Sequence, residues 1–306
     1  MGSVKGSLVR MEVDMKEEQI FNQDLSQKAP EAGAVCPIHL FFKEKVKMPS
    51  KEKIVEMMQK YLGEGEYFSY SKDMAAFMPK KYIAEFKDGN VPVQLMITEC
   101  LESKDYHIDE ITRSQMWDCP ESEEILSACP YHVIAIDMLA GALPDYKDRA
   151  NMLMDFMEAL VELYPDCVAV QFQNSGKMFT REKIVNHQIP YDKRFIYFAV
   201  NVRFFNIQGT PDSLVDTIGM NILYLPDFQY HFHNIDPNWV VNHAYNSLTY
   251  IYDNGVVINN GDTIGGIVDG NLDSSVKWRC QYEDSLIQPV RDVIDIYMNE
   301  YASGQR

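Results

Sequence analysis

Two short strings with the same opening constrain this chain most. CPIHLFF begins at Cys36 and CPYHVIAIDM at Cys129, an offset of 93 residues. In each, proline stands at a strand start, where its missing N–H costs no ladder bond. A β-rich apolar run follows, with histidine on the proline's side of the strand. After the first string, Ser50 is placed to cap a helix with Ile54, Met57, Met58 and Leu62 on one face and Gly63 at its end. EYFSYS and VPVQLMITEC then read as strands. After the second, a helix from about 148 to 164 carries Leu153, Phe156, Met157 and Leu160, followed by strands CVAVQFQ and RFIYFAVNVRFF. Both halves thus read strand–helix–strand–strand. The expected class is α+β, mostly antiparallel sheets with covering helices. A duplicated ferredoxin-like βαββ core is the preferred reading of the repeat, and chance similarity of a five-residue string is the alternative. His39 and His132 take matching places in the two halves.

The expected organisation is a flexible arm over 1–34, a first unit over 35–128 and a second over 129–306. An acidic segment, 102–128, closes the first unit with a short helix after Pro120. In the last third, Thr210-Pro211-Asp212 has the form of a helix start, and PDFQYHFH of a strand. Asp236-Pro237 opens a helix striped by Val240, Val241, Ala244, Leu248, Ile251 and Tyr252. A hairpin is expected around Asn260-Gly261, and a final helix opened by Pro289.

Forty-five acidic against 28 basic residues give a formal charge of −17. Such a surface repels phosphate backbones, which argues against nucleic acid and favours a basic protein partner. The six cysteines form no C-x-x-C pair, and four lie in or beside apolar strand-like runs as small hydrophobes. No apolar run approaches the ~18 residues that span a bilayer. These features predict a cytoplasmic protein with no membrane partner.

Residues 230–243, YHFHNIDPNWVVNH, hold three of the seven histidines. The strand period puts Gln229, His231 and His233 on one face and Phe228, Tyr230 and Phe232 on the other. His243 lies about two turns into the following helix. His231, His233 and His243 are therefore candidate ligands for a divalent metal, although their spacing is that of no known metal motif. Asp216, Asp236, Asp262, Thr263, Ser285 and Arg291 form a second candidate set. They either line a pocket or, the favoured reading, make a structural polar cluster in which Arg291 pairs with Asp216, Asp262 or Glu283. NSGKMFT (174–180) is no phosphate loop, because Gln171 and Met178 stand where glycine and Ser/Thr are required.

The blocks DTIGM (216–220), LPDFQYHF (225–232), DPNWVVNHAYN (236–246), GDTIGG (261–266) and SLIQPVRDVIDI (285–296) resemble, in order and spacing, a bacterial family known only as domain of unknown function 4261, over about 216–296. The resemblance implies an intracellular bacterial α+β protein and brings no catalytic residue and no cofactor. The function expected from the whole sequence is a non-enzymatic protein-binding module, immunity-like or adaptor, with an acidic surface. The alternatives are a metal-dependent hydrolase using the histidines and a structural subunit of a larger assembly.

Overall fold

The computed structural model describes residues 20–304. The two Cys-Pro strings become neighbouring strands at the centre of one sheet: β1 (Ile38–Phe42) lies antiparallel to the later β8, with Phe41 opposite His132. After β1, Ser50 accepts a hydrogen bond from the Lys53 amide and starts α1 (Lys51–Leu62), which ends at Gly63 in a positive-φ conformation. The chain continues through β2 (Gly65–Tyr70), β3 (Met74–Pro79), a separate hairpin of β4 (Ile83–Phe86) and β5 (Gly89–Pro92), β6 (Gln94–Thr98) and the short β7 (Leu101–Glu102). The acidic segment carries α2 (Glu110–Ser114) and α3 (Ser122–Ala128). Then come β8 (Tyr131–Met138), α4 (Tyr146–Leu163), β9 (Ala169–Phe172) and β10 (Lys177–Thr180). The sheet order is β10-β9-β1-β8-β6-β3-β2, with β7 beside β8, and its pairings are antiparallel. α1 and α4 pack together over the face that carries Ile38, Leu40, Phe42, Val133 and Ala135.

After α5 (Arg181–Val185) and α6 (Arg194–Ala199), a second sheet forms from β11 (Asn201–Asn206), β12 (Ser213–Ile218), β13 (Asp227–Phe232), β14 (Thr263–Val268), β15 (Asn271–Asp284) and β16 (Asp292–Tyr297), in the order β11-β12-β13-β16-β15-β14. Only its β13–β16 pair is parallel among the described residues. α7 (Pro237–Asn254) starts at the Asp236 cap and lays Val240, Ala244, Leu248 and Ile251 into the same continuous core as Tyr230, Ile294 and Ile296. Among the described residues the architecture is therefore α+β and mostly antiparallel, and no helix is long and apolar enough to cross a membrane.

Four expected elements differ. Thr210-Pro211-Asp212 starts no helix; the Thr210 hydroxyl accepts from the Asp212 amide in a turn between β11 and β12. RFIYFAVNVRFF divides into α6 and β11, with Arg194 drawn back to Asp155 at 2.7 Å. The hairpin turns at Asp269-Gly270, one turn later than Asn260-Gly261. The final apolar run is strand β16, paired on both sides, and not a helix. A run that short satisfies both periods, and tertiary pairing decides. Of the expected arm, residues 1–19 lie outside the described residues. Residues 23–29 follow the 288–290 loop, with Lys28 bridging Val290, and residues 30–34 turn to Asn221 and Arg149.

One buried pair ties these pieces together. Arg149, in the first turn of α4, donates from Nε and Nη2 to Asp137 Oδ2 of β8 at 2.9 and 2.8 Å. Its guanidinium also donates to the carbonyls of Gly33, Ala34 and Ile222, while Asp137 Oδ1 accepts from the Cys36 amide. Sheet one, the arm and the turn at 220–223 between β12 and β13 thus meet at one cation. Arg149→Met strips the countercharge from a fully buried carboxylate. The expected loss is about 3–5 kcal/mol of unfolding free energy, read by urea denaturation.

Candidate functional site

On the second sheet the strand register lines up a polar row on the face away from α7: Arg203, Asp216, Gln229, Asp295 and Gln281 stand opposite one another across five strands. Asp216 is its centre. Arg203 reaches its two oxygens at 2.8 and 2.6 Å, and Arg291 Nη2 lies 2.7 Å from Oδ2. Arg291 also faces Asp227 Oδ2 at 3.4 Å and donates to the carbonyls of Thr217 and Pro289. Arg203 donates to the Gln288 carbonyl, and Gln229 bridges Glu283 and Asp295 while accepting from the Leu286 amide.

Burial alone raises the pKa of Asp216, but the two guanidinium groups outweigh it and hold the carboxyl below the usual range. Asp227, with one more distant cation, is pushed by burial up to about 6 in spite of Arg291. Apart from Arg291 Nε, which only faces Asp227, the donors of both arginines meet internal acceptors, an arrangement that holds the loop and strands in place.

Of the second candidate set, the structure brings together Asp216, Ser285 and Arg291; the Ser285 hydroxyl lies 3.3 Å from Arg291 Nη1. It leaves the other three apart. Asp236 caps α7, Asp262 accepts from the Asn259 amide in a turn, and Thr263 is exposed at the start of β14. Thr217, Asp227, Gln229 and Arg203 belong to the network but were not in the set. For Asp227 and Gln229 the signal was the alternation of 227–232; Thr217 alternates to the other face, and Arg203 lay inside a run read as one strand.

The three candidate metal-ligating histidines are not brought together. His231 lies 3.5 Å from Asp212, and His233 Nδ1 is 2.9 Å from the Ser303 hydroxyl. α7 crosses the opposite face of β13, so His243 is buried there, its Nδ1 3.0 Å from the Tyr230 hydroxyl and its Nε2 2.7 Å from the Gly265 carbonyl. Burial lowers its pKa. Among the described residues no group of three or more His, Cys, Asp or Glu side chains is placed to hold a metal ion.

The other histidines do converge. On the face of sheet one away from α1 and α4, the His39 and His132 rings lie 5.3 Å apart, and Tyr106 stacks on His39 at 4.2 Å. His39 Nε2 lies 2.9 Å from Gln173 Oε1, His132 Nδ1 2.9 Å from the Ser103 hydroxyl, and the Tyr106 hydroxyl 2.5 Å from Gln171. Beside them opens a cleft of about 470 Å³, bordered by Lys45, Glu102, Lys104, Tyr106, His132 and Ile134. With Nε2–H donating to Gln173 Oε1, His39 Nδ1 is a bare acceptor, buried and without a hydrogen-bond partner among the described residues. Burial pushes His39 down to about 4 and lowers His132 as well. Near neutral pH the cluster therefore offers uncharged hydrogen-bonding groups. The Cys-Pro-x-His strings placed both histidines, whereas nothing in the sequence signalled Tyr106.

Asp216, Asp227, Gln229 and Arg291 come from the DTIGM, LPDFQYHF and SLIQPVRDVIDI blocks, whereas Arg203 lies upstream of them. Residues 216–297 match the family model described as domain of unknown function (DUF4261), and such a domain is present over the C-terminal third of the chain. No curated protein and no solved structure gives a match.

In the unfolded chain His39 takes up its proton near 6.5, but in the fold only near 4. Its contribution to stability is full above about pH 6.5 and is lost as pH falls from there toward 4. The expected result is a His39 imidazole that stays neutral at pH 5 by ¹⁵N NMR, with a stability–pH slope that His39→Gln flattens.

Proposed function

We propose that the chain is a non-enzymatic protein-binding module, of the adaptor or immunity type, whose acidic exterior selects a basic partner. The partition of charge carries this reading. Among the described residues, five buried cations (Arg149, Lys177, Arg194, Arg203, Arg291) are matched in number by five buried aspartates (137, 155, 216, 227, 295). The interior cancels, and the formal −17 falls entirely on the remaining residues. It is also uneven along the chain: residues 35–101 hold ten Lys/Arg and nine Asp/Glu, residues 102–306 fourteen and thirty. A field of this sign steers cationic surfaces toward the molecule and repels a second copy.

Six buried, unpaired cysteines support a reducing compartment such as the cytoplasm. The order β9-β1-β8-β6, with α1 and α4 on one face, supports two interleaved β-α-β units. In that ferredoxin-like reading, the boundary at 128/129 separates two repeats that share a sheet.

The test is the salt dependence of a partner recovered on the immobilised chain. Affinity should fall at least about tenfold between about 0.05 and 0.3 M salt, as screening shortens the reach of surface charge. A partner whose affinity ignores ionic strength removes the acidic exterior as its determinant.

A further inference from the structure

The face of sheet one that carries the histidines is only half covered. At one end, Phe41, Ala169 and Met178 are capped by Ile108, Met116, Cys119 and Ile125 of the acidic segment. At the other, β3, β6 and β8 direct Met74, Met78, Met96, Ile134, Ile136 and Met138 to the same side, with Met96 opposite both Ala76 and Ile136. Each of these six keeps part of its surface in solvent, and none belongs to either apolar core among the described residues. The cleft at Ile134 runs into this face, and Phe68, 57% exposed, sits in the bulge of the neighbouring edge strand β2.

The dimensions select the occupant. Four strands about 4.8 Å apart and five residues long at about 3.4 Å each span roughly 19 by 17 Å, about 300 Å². That is well short of the ~800 Å² each partner contributes to a standard interface. It suits a helix, about 10 Å wide and 18 Å long over 12 residues. α1, of 12 residues, lies on the opposite face of the same sheet. Four unbranched, polarizable methionines let such a surface adapt to a helix without a preformed pocket.

Charge selects the helix's sign. Of the rim lysines, Lys72 pairs with Asp73, Lys80 with Glu64 and Glu66, and Lys104 with Glu102, while Lys45 borders the cleft beside Glu99 and Glu102; the acidic segment that caps the other half of the same face makes the surroundings negative. We propose that this open Met/Ile face docks an amphipathic helix of a partner protein, apolar on one side and basic on the other. The assignment rests on the protein-binding reading and names its surface.

The probe is a Leu/Lys amphipathic peptide of about 18 residues, about 27 Å as a helix, with a Leu/Glu peptide as its control, added to the full chain labelled with ¹³C at the methionine methyls. The expected result is that the Leu/Lys peptide shifts the Met74, Met78, Met96 and Met138 methyls and leaves those of the core residues Met57, Met152 and Met157 in place. Met96→Lys and Ile136→Lys should each weaken binding at least about tenfold, while Val256→Lys, at an exposed position elsewhere, should change it less than about twofold. The methyl shifts come from the unmutated chain, so they decide the matter even where a variant folds poorly. Unmoved surface methyls, or variants that bind the peptide like the wild type, overturn the proposal. So does a wild-type dimer that Met96→Lys dissociates, which gives the face to a second copy. So does peptide binding that appears only after residues 1–19 are deleted, which gives it to the chain's own N-terminus. If a salt-sensitive partner binds Met96→Lys as tightly as the wild type, the binding function stands and this surface falls.

Discussion

The two-sided clamp of Arg203 and Arg291 on Asp216 is the interaction on which the C-terminal domain depends. An isolated buried carboxylate is costly, and so is each guanidinium. Three strands and the loop at 285–291 come into place around them because only that arrangement gives every charge a partner. Arg291 reaches Asp216 from the end of the loop, and Arg203 reaches it from an edge strand while holding the Gln288 carbonyl. The Gln288 amide and carbonyl groups in turn engage the arm at Gln23, Asp24 and Gln27. Arg149 repeats the device between the sheets, and Lys177 does so at 3.3 Å from Asp118.

In these clusters charge is used to hold the molecule together. The polar residues of the family blocks are spent on one another. What remains outward includes a cleft beside uncharged imidazoles and a partly exposed apolar sheet face. The polar row of the second sheet lies beside the 285–291 loop and the arm, with Gln281 exposed at one end and Arg203 lining a small cleft at the other.

Elements with their own local signals were legible in the sequence. The Ser50 cap with Gly63, and Asp236-Pro237 with Asn254-Gly255, placed α1 and α7. The alternation of 227–232 placed β13 and told which face of it was polar. Signals that are ambiguous over a few residues misled. VRDVIDIY fits a helical stripe and a strand equally well, and Thr210-Pro211-Asp212 carries the same residues in a turn as at a cap. The histidine string failed as a metal site for a reason no local pattern holds: α7 returns across the Tyr230 face, away from His231 and His233. The partnership of Asp216 with Arg203 and Arg291 was half readable, since Asp216 was one of three carboxylates, with Asp262 and Glu283, expected for Arg291. Arg203 was hidden inside a run read as one continuous strand.

The most direct test of the network's structural role is urea unfolding of Asp216→Ala, compared with the wild type and with Arg203→Met/Asp216→Leu/Arg291→Met. Removing the carboxylate alone leaves two buried cations facing each other and should cost about 3–5 kcal/mol, whereas the apolar triple replacement should recover most of that loss and keep partner binding. An Asp216→Ala protein as stable as the wild type, or a stable triple variant that has lost its partner, would contradict the account and turn the polar row from a staple into a site.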